Sequence, residues 1–157
     1  MSDIGNDLPL RVRGVIAFVV AGHGDAARVL LLKRKTAPVG AWCPVSGRIE
    51  PGEVAWRTAL REIQEETGLT DGTLYTTGVV DSFYDRTENS IEVMPIFLFM
   101  IPRETAVALD DAQSDHAWCD VDAALAQLTF AGHKTALEAI RRDFIQQEPD
   151  PLKRIAP

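Results

Sequence analysis

The stretch GRIEPGEVAWRTALREIQEETGL, residues 47–69, decides how this chain folds and what chemistry it can support. Its pattern predicts a helix from about Glu53 to Thr67, and Gly68 is placed to end that helix in the left-handed conformation. The apolar residues of the helix fall on one side when plotted at about 100° per residue, which predicts a buried stripe. They are Trp56, Ala59, Leu60 and Ile63.

A second face of the same helix carries three carboxylates, Glu62, Glu65 and Glu66, at a spacing of i, i+3 and i+4. Like charges at this spacing destabilise a helix by about 0.2–0.5 kcal/mol per pair. A hard divalent cation reverses that sign, because Mg²⁺ prefers carboxylate oxygens and keeps its other positions for water and phosphate. Ala55 and Thr58 lie on the same face and are small enough to leave room for a metal and a phosphate chain. The pattern favours a metal site over an ordinary solvated, glutamate-rich surface.

The spacing across the whole stretch is more specific than the three glutamates alone. It runs Gly47, five residues, Glu53, seven residues, Arg61-Glu62-Ile63, one residue, Glu65-Glu66, one residue, Gly68-Leu69. This resembles the Nudix box at every defined position, and a chance match in this chain is on the order of one in ten million. The resemblance implies an α/β (mixed α+β) Nudix fold, an α-β-α sandwich around a mixed sheet. It also implies hydrolysis of a nucleoside diphosphate linked to another group.

Metal ligands follow from the resemblance, position by position. It implies that Glu62, Glu65 and Glu66 bind the metal and that the backbone carbonyl of Ser46 completes the site. The implied cofactor is Mg²⁺, with Mn²⁺ as the alternative. The implied partner is a small nucleotide-like diphosphate or triphosphate.

Three further box residues receive supporting roles from the same resemblance. Glu53 is expected near the metal, acting through a metal-bound water or as a base. Arg61, four residues before Glu65, is expected to pair with that carboxylate and to orient the acidic residues. Gly47 is expected to let the loop approach the helix closely.

Substrate contacts are expected among polar and aromatic residues outside the acidic cluster. The candidates are Arg34, Trp42, Arg48 and Tyr84. For Arg34 the alternative is a solvated strand-end charge, and for the two aromatic residues it is a place in the core. Glu88 and Glu92, in or after the polar loop DRTENSIE, are candidates for an extra metal ligand or general base, with a solvated loop as the alternative. The three histidines are scattered and receive no role.

The residues before the box give a hint about the substrate. The segment WCPVSGRIE, residues 42–50, has Val-Ser-Gly where many Nudix proteins carry Pro-Gly-Gly. This form is similar to the dihydroneopterin triphosphate and dATP pyrophosphohydrolase branch, as is HAWCD at 116–120 followed by a short helix. The resemblance therefore implies cleavage of a triphosphate into a monophosphate and pyrophosphate. The alternatives are a nucleoside-diphosphate-sugar hydrolase, a dinucleoside polyphosphate hydrolase, and a non-catalytic nucleotide-binding regulatory module.

The rest of the chain predicts strands and helices around the acidic helix. The predicted strands are 11–20, 28–35, 74–84, 91–101 and the short 117–120, and the later predicted helices are 121–128 and 134–147. Strand 91–101, IEVMPIFLFMI, is apolar almost throughout, so we expect it to be central, with a bulge or an unpaired position at Pro95. Helices between and after strands favour a mixed sheet sandwiched by helices.

Composition limits the class of protein. The 157 residues fit one domain, 1–157, with loose ends at 1–9 and 149–157. There is no apolar run long enough for a membrane span and no secretory signal pattern, so we expect a cytoplasmic protein without a membrane partner. A net charge of −7 argues against a nucleic-acid polymer as partner. Cys43 and Cys119 are far apart and predict neither a disulfide nor a zinc site. The resemblance leaves a homodimer open.

Overall fold

The computed structural model describes residues 7–156. Its nine strands are β1 (Leu10–Arg11), β2 (Gly14–Ala21), β3 (Arg28–Arg34), β4 (Trp42–Cys43), β5 (Val45–Arg48), β6 (Thr73–Asp85), β7 (Ser90–Ile101), β8 (Gln113–Cys119) and β9 (Arg154–Ile155). Its three α-helices are α1 (Ala55–Thr67), α2 (Val121–Gln127) and α3 (Ala131–Ile140), and α3 continues into a π-helical turn over Arg141–Ile145.

All nine strands join one mixed sheet. The main order is β4-β3-β2-β7-β6-β9, with β1 beside β7, β5 beside β2 and β8 beside β3. The pairs β2–β7 and β1–β7 are parallel, and the other pairs are antiparallel. Every residue of β2 is buried, as expected for a strand of a sheet that helices cover on both faces.

Two apolar layers lie on opposite faces of this sheet. One contains Ala59 and Ile63 of α1, together with alternate residues of β2 and β3. The other contains Ala124 of α2 and Leu137 of α3, packed on the remaining alternate residues of the same strands. The period of two along a strand thus sends successive side chains to different helices. The α-β-α sandwich expected from the sequence is confirmed.

The acidic helix has the predicted end and a slightly later start. It begins at Ala55, after Val54, rather than near Glu53. Gly68 has φ +75°, and its N–H donates to the carbonyl of Gln64, so the predicted left-handed cap is present.

Strand β7 is central, as predicted, and Pro95 faces a bulge in β6. The register between β6 and β7 shifts between Thr76 and Val80, and Pro95 pairs with Val80. Within the bulge, the hydroxyl of Thr77 donates to the carbonyl of Ile96 at 2.6 Å. Pro95 has no N–H to donate, and the ladder between β6 and β7 is interrupted at the bulge. The Ile96 carbonyl still has a donor there, the Thr77 hydroxyl.

The C-terminal end differs from the expectation of a loose tail after residue 148. Arg154 and Ile155 form β9, which pairs with Tyr75 and Leu74 of β6, and Ile155 packs against the α1 layer. Backbone pairing to a free strand edge is largely independent of composition, so the proline-rich sequence hides it. At the other end, residues 1–6 of the predicted loose arm lie outside the described residues.

The helices and cysteines of the described residues give two further findings. Within 7–156, no helix is long and apolar enough to cross a membrane. Cys43 and Cys119 are both free thiols, the first buried and the second partly buried.

Candidate active site

Arg61 is the centre of the acidic cluster on α1. Its Nε and Nη2 donate to the two carboxylate oxygens of Glu53 at 2.8 and 2.9 Å, which is a bidentate pair. Its Nη1 donates to Glu62 at 2.7 Å and to Glu65 at 3.2 Å, so the expected Arg61–Glu65 pair is present. Its Nη2 also donates to the carbonyl of Arg48 at 3.0 Å, which ties the helix to β5. The guanidinium therefore fixes three of the four glutamates that stand at defined positions of the motif.

Glu53 is held as a carboxylate. The hydrogen bonds from Arg61, followed by the one from Thr58, lower the pKa of Glu53 to about 2. The Thr58 hydroxyl donates at 2.6 Å, and Thr58 is fully buried. Thr58 therefore positions Glu53 and does not provide the open space for a metal and phosphate that the sequence suggested. With so low a pKa, Glu53 is poorly suited to accept a proton near neutral pH.

Gly47 lies directly against Glu62. A Cβ atom at residue 47 would overlap the carboxyl group of Glu62, so any larger residue would displace that side chain. Burial raises the pKa of Glu62, while the contact with Arg61 opposes that shift. The expected close approach of loop and helix at Gly47 is present.

Glu66 is the most buried of the box glutamates, with 7% of its surface exposed. Its carboxylate accepts from the backbone N–H of Ser46 at 3.3 Å and from the side-chain amide of Gln113 at 3.2 Å. Burial, followed by the charges of Glu62 and Asp110, raises its pKa to about 8. No Lys, Arg or His side chain among the described residues forms an ion pair with it. A buried carboxylate beside other carboxylates fits a divalent cation, which would reverse these repulsions.

The glutamates do not form a preformed metal cage. Across residues 7–156, no three His, Cys, Asp or Glu side chains converge as metal ligands. Arg61 draws Glu62 and Glu65 toward itself, whereas Glu66 turns to Ser46 and Gln113. Glu65 leaves 54% of its side chain exposed. Ser46 contacts Glu66 through its N–H, so a role for its carbonyl stays a prediction.

The two glutamates outside the box are paired with arginines. Glu92 accepts from Arg13 at 2.6 and 3.2 Å and from Ser90 at 2.7 Å, and the Arg13 contact lowers the pKa of Glu92. Glu88 accepts from Arg11 at 2.7 Å. A role for Glu88 or Glu92 as metal ligand or base stays a prediction.

The four candidate substrate contacts are not all brought together. Tyr84 is half-exposed, and its hydroxyl donates to Asn89 at 3.0 Å. The side chain of Arg48 is exposed, and its observed contact with α1 is through its carbonyl. Trp42 is partly buried against the α3 layer, so part of its surface belongs to the core. Arg34 donates to Thr36 and to the carbonyl of Ala37, while its Nε is buried without a partner.

Sequence reasoning missed two groups of polar residues, of which one contacts the box glutamates. Gln113 contacts Glu66 from 47 positions away, and the Asp110 charge raises the pKa of Glu62 and Glu66. Asp81 and His133 lie 3.9 Å apart at the start of α3, although the histidine had been given no role. For Gln113 and Asp110, the adjacent acidic pair Asp110-Asp111 was a weak signal in the sequence. For Asp81 and His133, no spacing in the sequence indicated that they meet.

One family model and several curated proteins are similar in sequence to this chain. A family model described as NUDIX domain matches residues 10–142. The chain is 35% identical over 133 residues to an octanoyltransferase of Myxococcus xanthus, covering 80% of this chain and 36% of that protein. It is 40% identical over 57 residues to dihydroneopterin triphosphate diphosphatase of Escherichia coli (strain K12), covering 36% of this chain and 37% of that protein. The chain spans about a third to a half of the length of the first curated relatives it matches.

Solved structures share the fold. The E. coli dihydroneopterin triphosphate pyrophosphohydrolase has a TM-score of 0.70 at 23% identity, covering 84% of this chain and 96% of that one. The NUDIX domain of Shewanella oneidensis NrtR, complexed with ADP ribose, has a TM-score of 0.71 at 20% identity, covering 90% and 92%. At these identities the likeness shows the fold alone.

Proposed function

This chain belongs to the NUDIX family, and from that premise we propose that it is a divalent-metal-dependent pyrophosphohydrolase. The proposed substrate is a nucleoside or dihydroneopterin triphosphate, cleaved to a monophosphate and pyrophosphate. The observation that carries the proposal is the burial of Glu66, a carboxylate beside Glu62 that forms no ion pair with any cationic side chain of residues 7–156. Glu66 belongs to a complete acidic motif on α1, so a divalent cation is the partner that the arrangement lacks.

The proposed metal ligands are Glu62, Glu65 and Glu66, with the Ser46 carbonyl beside them, and the proposed metal is Mg²⁺ or Mn²⁺. When bound, the metal would supply positive charge to the phosphate oxygens and lower the cost of deprotonating an attacking water. The chain itself supplies the positioning. Arg61 holds Glu62 and Glu65 at defined places, and Glu53 anchors Arg61 through two hydrogen bonds.

The pKa values of the carboxylates limit which of them can act as the general base. A base works best when its pKa lies near the working pH. Glu53 has a pKa of about 2, and the pKa of Glu92 is lowered by Arg13. Both residues are therefore poorly matched to the role of general base near neutral pH.

The triphosphate substrate is supported by resemblance of two kinds. The segment before the box has the Val-Ser-Gly form of the dihydroneopterin triphosphate branch. The curated relative with 40% identity over 57 residues is named for that same substrate.

The experiment is a product analysis with the purified full chain. The chain is incubated with Mg²⁺ or Mn²⁺ and, separately, nucleoside triphosphates, dihydroneopterin triphosphate, ADP-ribose, a nucleoside-diphosphate sugar and diadenosine polyphosphates. We expect pyrophosphate from a triphosphate, its loss with excess chelator, and its loss in Glu65→Gln and Glu66→Gln. Glu148→Gln is the matched control, because Glu148 is exposed and lies outside α1.

Other outcomes identify the alternatives. Turnover of only ADP-ribose, the sugar nucleotide or a dinucleotide would support a hydrolase and would contradict the proposed triphosphate substrate. Tight nucleotide binding without turnover of any compound would favour a regulatory module. Turnover that persists in excess chelator would reject the metal-dependent mechanism.

A further inference from the structure

Two buried side-chain nitrogens without a partner lie near the start of α3. Only three buried side-chain polar atoms lack a partner among residues 7–156, and they are Nδ1 of His133, Nε of Arg34 and Oε1 of Gln113. His133 is 9% exposed, and Arg34 is near enough for its charge to lower the pKa of His133. Buried polar groups are almost always hydrogen-bonded, so two in one region call for a ligand or another physical reason.

Asp81 of β6 is the third member of this polar cluster. Its side chain is 11% exposed, and its Oδ2 lies 3.9 Å from Nε2 of His133, beyond hydrogen-bond distance. Within the described part of the chain, no donor forms a hydrogen bond to this carboxylate. Gly132 permits the arrangement, because a Cβ there would overlap Oδ1 of Asp81. A nearly buried acceptor thus packs against the first turn of α3 without a hydrogen-bond donor among residues 7–156.

Donors lie beside this acceptor. The first helical hydrogen bond of α3 runs from Lys134 N–H to the Phe130 carbonyl at 3.2 Å, so three earlier N–H groups have no partner within the helix. Phe130 provides no side-chain cap, and its ring lies edge-on to His133 with centroids 5.4 Å apart. The cluster therefore combines one carboxylate acceptor, several N–H donors and an aromatic surface.

Arg34 and the acidic helix both lie near Cys43 of β4. Charges of both Arg34 and Glu66 act on the thiol of Cys43, whose pKa is raised mainly by burial. The loop before α3 is joined to β4 by two hydrogen bonds between Trp42 and Thr129, at 2.9 and 3.2 Å. The cluster thus belongs to the same end of the molecule as β4 and β5, which lead into the box.

We propose that Asp81, His133 and the first turn of α3 recognise the ring of the substrate, and that this ring carries adjacent N–H donors beside a carbonyl. The 2-amino-4-oxo edge shared by guanine and dihydropterin has this pattern. Asp81 accepts from the amino group and the ring N–H, while an N–H of α3 or Nε of Arg34 donates to the ring carbonyl. Adenine lacks the ring N–H and the carbonyl, so it leaves these groups unpaired. The inference rests on the proposed function, because the ring is the part of the substrate beyond the phosphates.

The test uses ligands without phosphate, so that it does not depend on turnover. Guanosine, 7,8-dihydroneopterin and adenosine are titrated separately into the metal-free full chain and followed by NMR chemical shifts. We expect guanosine and dihydroneopterin to bind about tenfold or more tightly than adenosine. Asp81→Asn should remove this preference, whereas Asp71→Asn should keep it, because Asp71 is exposed and precedes β6. Equal binding of adenosine, no binding of guanosine, or an intact preference in Asp81→Asn would overturn the inference.

A second variant protects the test against a folding defect in Asp81→Asn. Gly132→Ala keeps every polar group but introduces the Cβ that overlaps the Asp81 carboxylate. We expect it to lose the preference while remaining folded, since the helix propensity gained with alanine offsets part of the cost of the overlap. A folded Gly132→Ala protein that retains the full preference would contradict the placement of Asp81.

Steady-state kinetics separate this inference from the proposed function. Asp81→Asn should raise the KM for dGTP and dihydroneopterin triphosphate with little change in kcat, and should leave dATP unaffected. Equal hydrolysis of all triphosphates by the wild type would reject ring recognition and retain the hydrolase. Selective guanosine binding without hydrolysis of any triphosphate would retain ring recognition and reject the hydrolase.

Discussion

Arg61 and Glu53 form a two-bond pair, with Nε at 2.8 Å and Nη2 at 2.9 Å from the two carboxylate oxygens. The same guanidinium reaches Glu62 and Glu65, so Glu53 fixes the group that positions two proposed metal ligands. We therefore expect Glu53 to act as a positioning residue, because its carboxylate already accepts hydrogen bonds from Arg61, Thr58 and the backbone N–H of Glu50.

Replacing Glu53 distinguishes positioning from proton transfer. We expect Glu53→Gln to reduce kcat by about 10- to 100-fold, as for outer partners of metal ligands. Because the pKa of Glu53 is about 2, the residual activity should keep the wild-type dependence on pH. A pH–rate profile measured between pH 5 and 10 provides the check. Loss of the acidic limb in the variant would instead identify Glu53 as the base.

Glu66 predicts that the metal-free protein becomes less stable as the pH rises. Its folded-state pKa of about 8 lies above the ordinary value of 4.5, so folding favours the protonated form. That stability is fully present below pH 4.5 and is lost as the pH rises toward 8, by an amount on the order of a few kcal/mol. Denaturant unfolding in chelator at pH 5 and pH 9 measures the change. Glu66→Gln should show a much smaller change, and an equal loss in both proteins would contradict the assignment to Glu66.

Some of this site could be predicted because the information is local. Helix α1, its Gly68 cap and its acidic face follow from a period of 3.6 residues and from spacing within 47–69. The partner of Glu65 is four residues away, so Arg61 could also be placed. The bulge opposite Pro95 follows from the missing proline N–H in the same way.

Other features depend on contacts between distant segments. Gln113 reaches Glu66 across 47 positions, and Asp81 meets His133 only because α3 packs over β6. The strand β9 depends on a free edge of β6 rather than on its own composition. Thr58 shows the same limit at short range, since its face of the helix was predicted but its bond to Glu53 was not.

His133 predicts a loss of stability in acid. Burial lowers its pKa, and the Arg34 charge adds to that effect while Asp81 opposes it. Folding therefore favours the neutral ring, so stability is constant well above the ordinary pKa of 6.5 and falls as the pH drops below it. Thermal unfolding at pH 7.5 and pH 5 measures the change. His133→Gln should lose less stability than the wild type over this interval, while the exposed control His23→Gln should match the wild type.

The close approach of Gly47 to Glu62 predicts a coupling between these residues. Gly47→Ala places a Cβ where the Glu62 carboxyl group lies, and we expect it to destabilise the fold by about 1–3 kcal/mol, as overpacking does. In a Glu62→Ala background the same substitution meets a small side chain, so its cost should fall well below the wild-type value. A double-mutant cycle of unfolding free energies measures this coupling. Equal costs in the two backgrounds would show that the loop avoids Glu62, and would remove the steric reason for glycine at position 47.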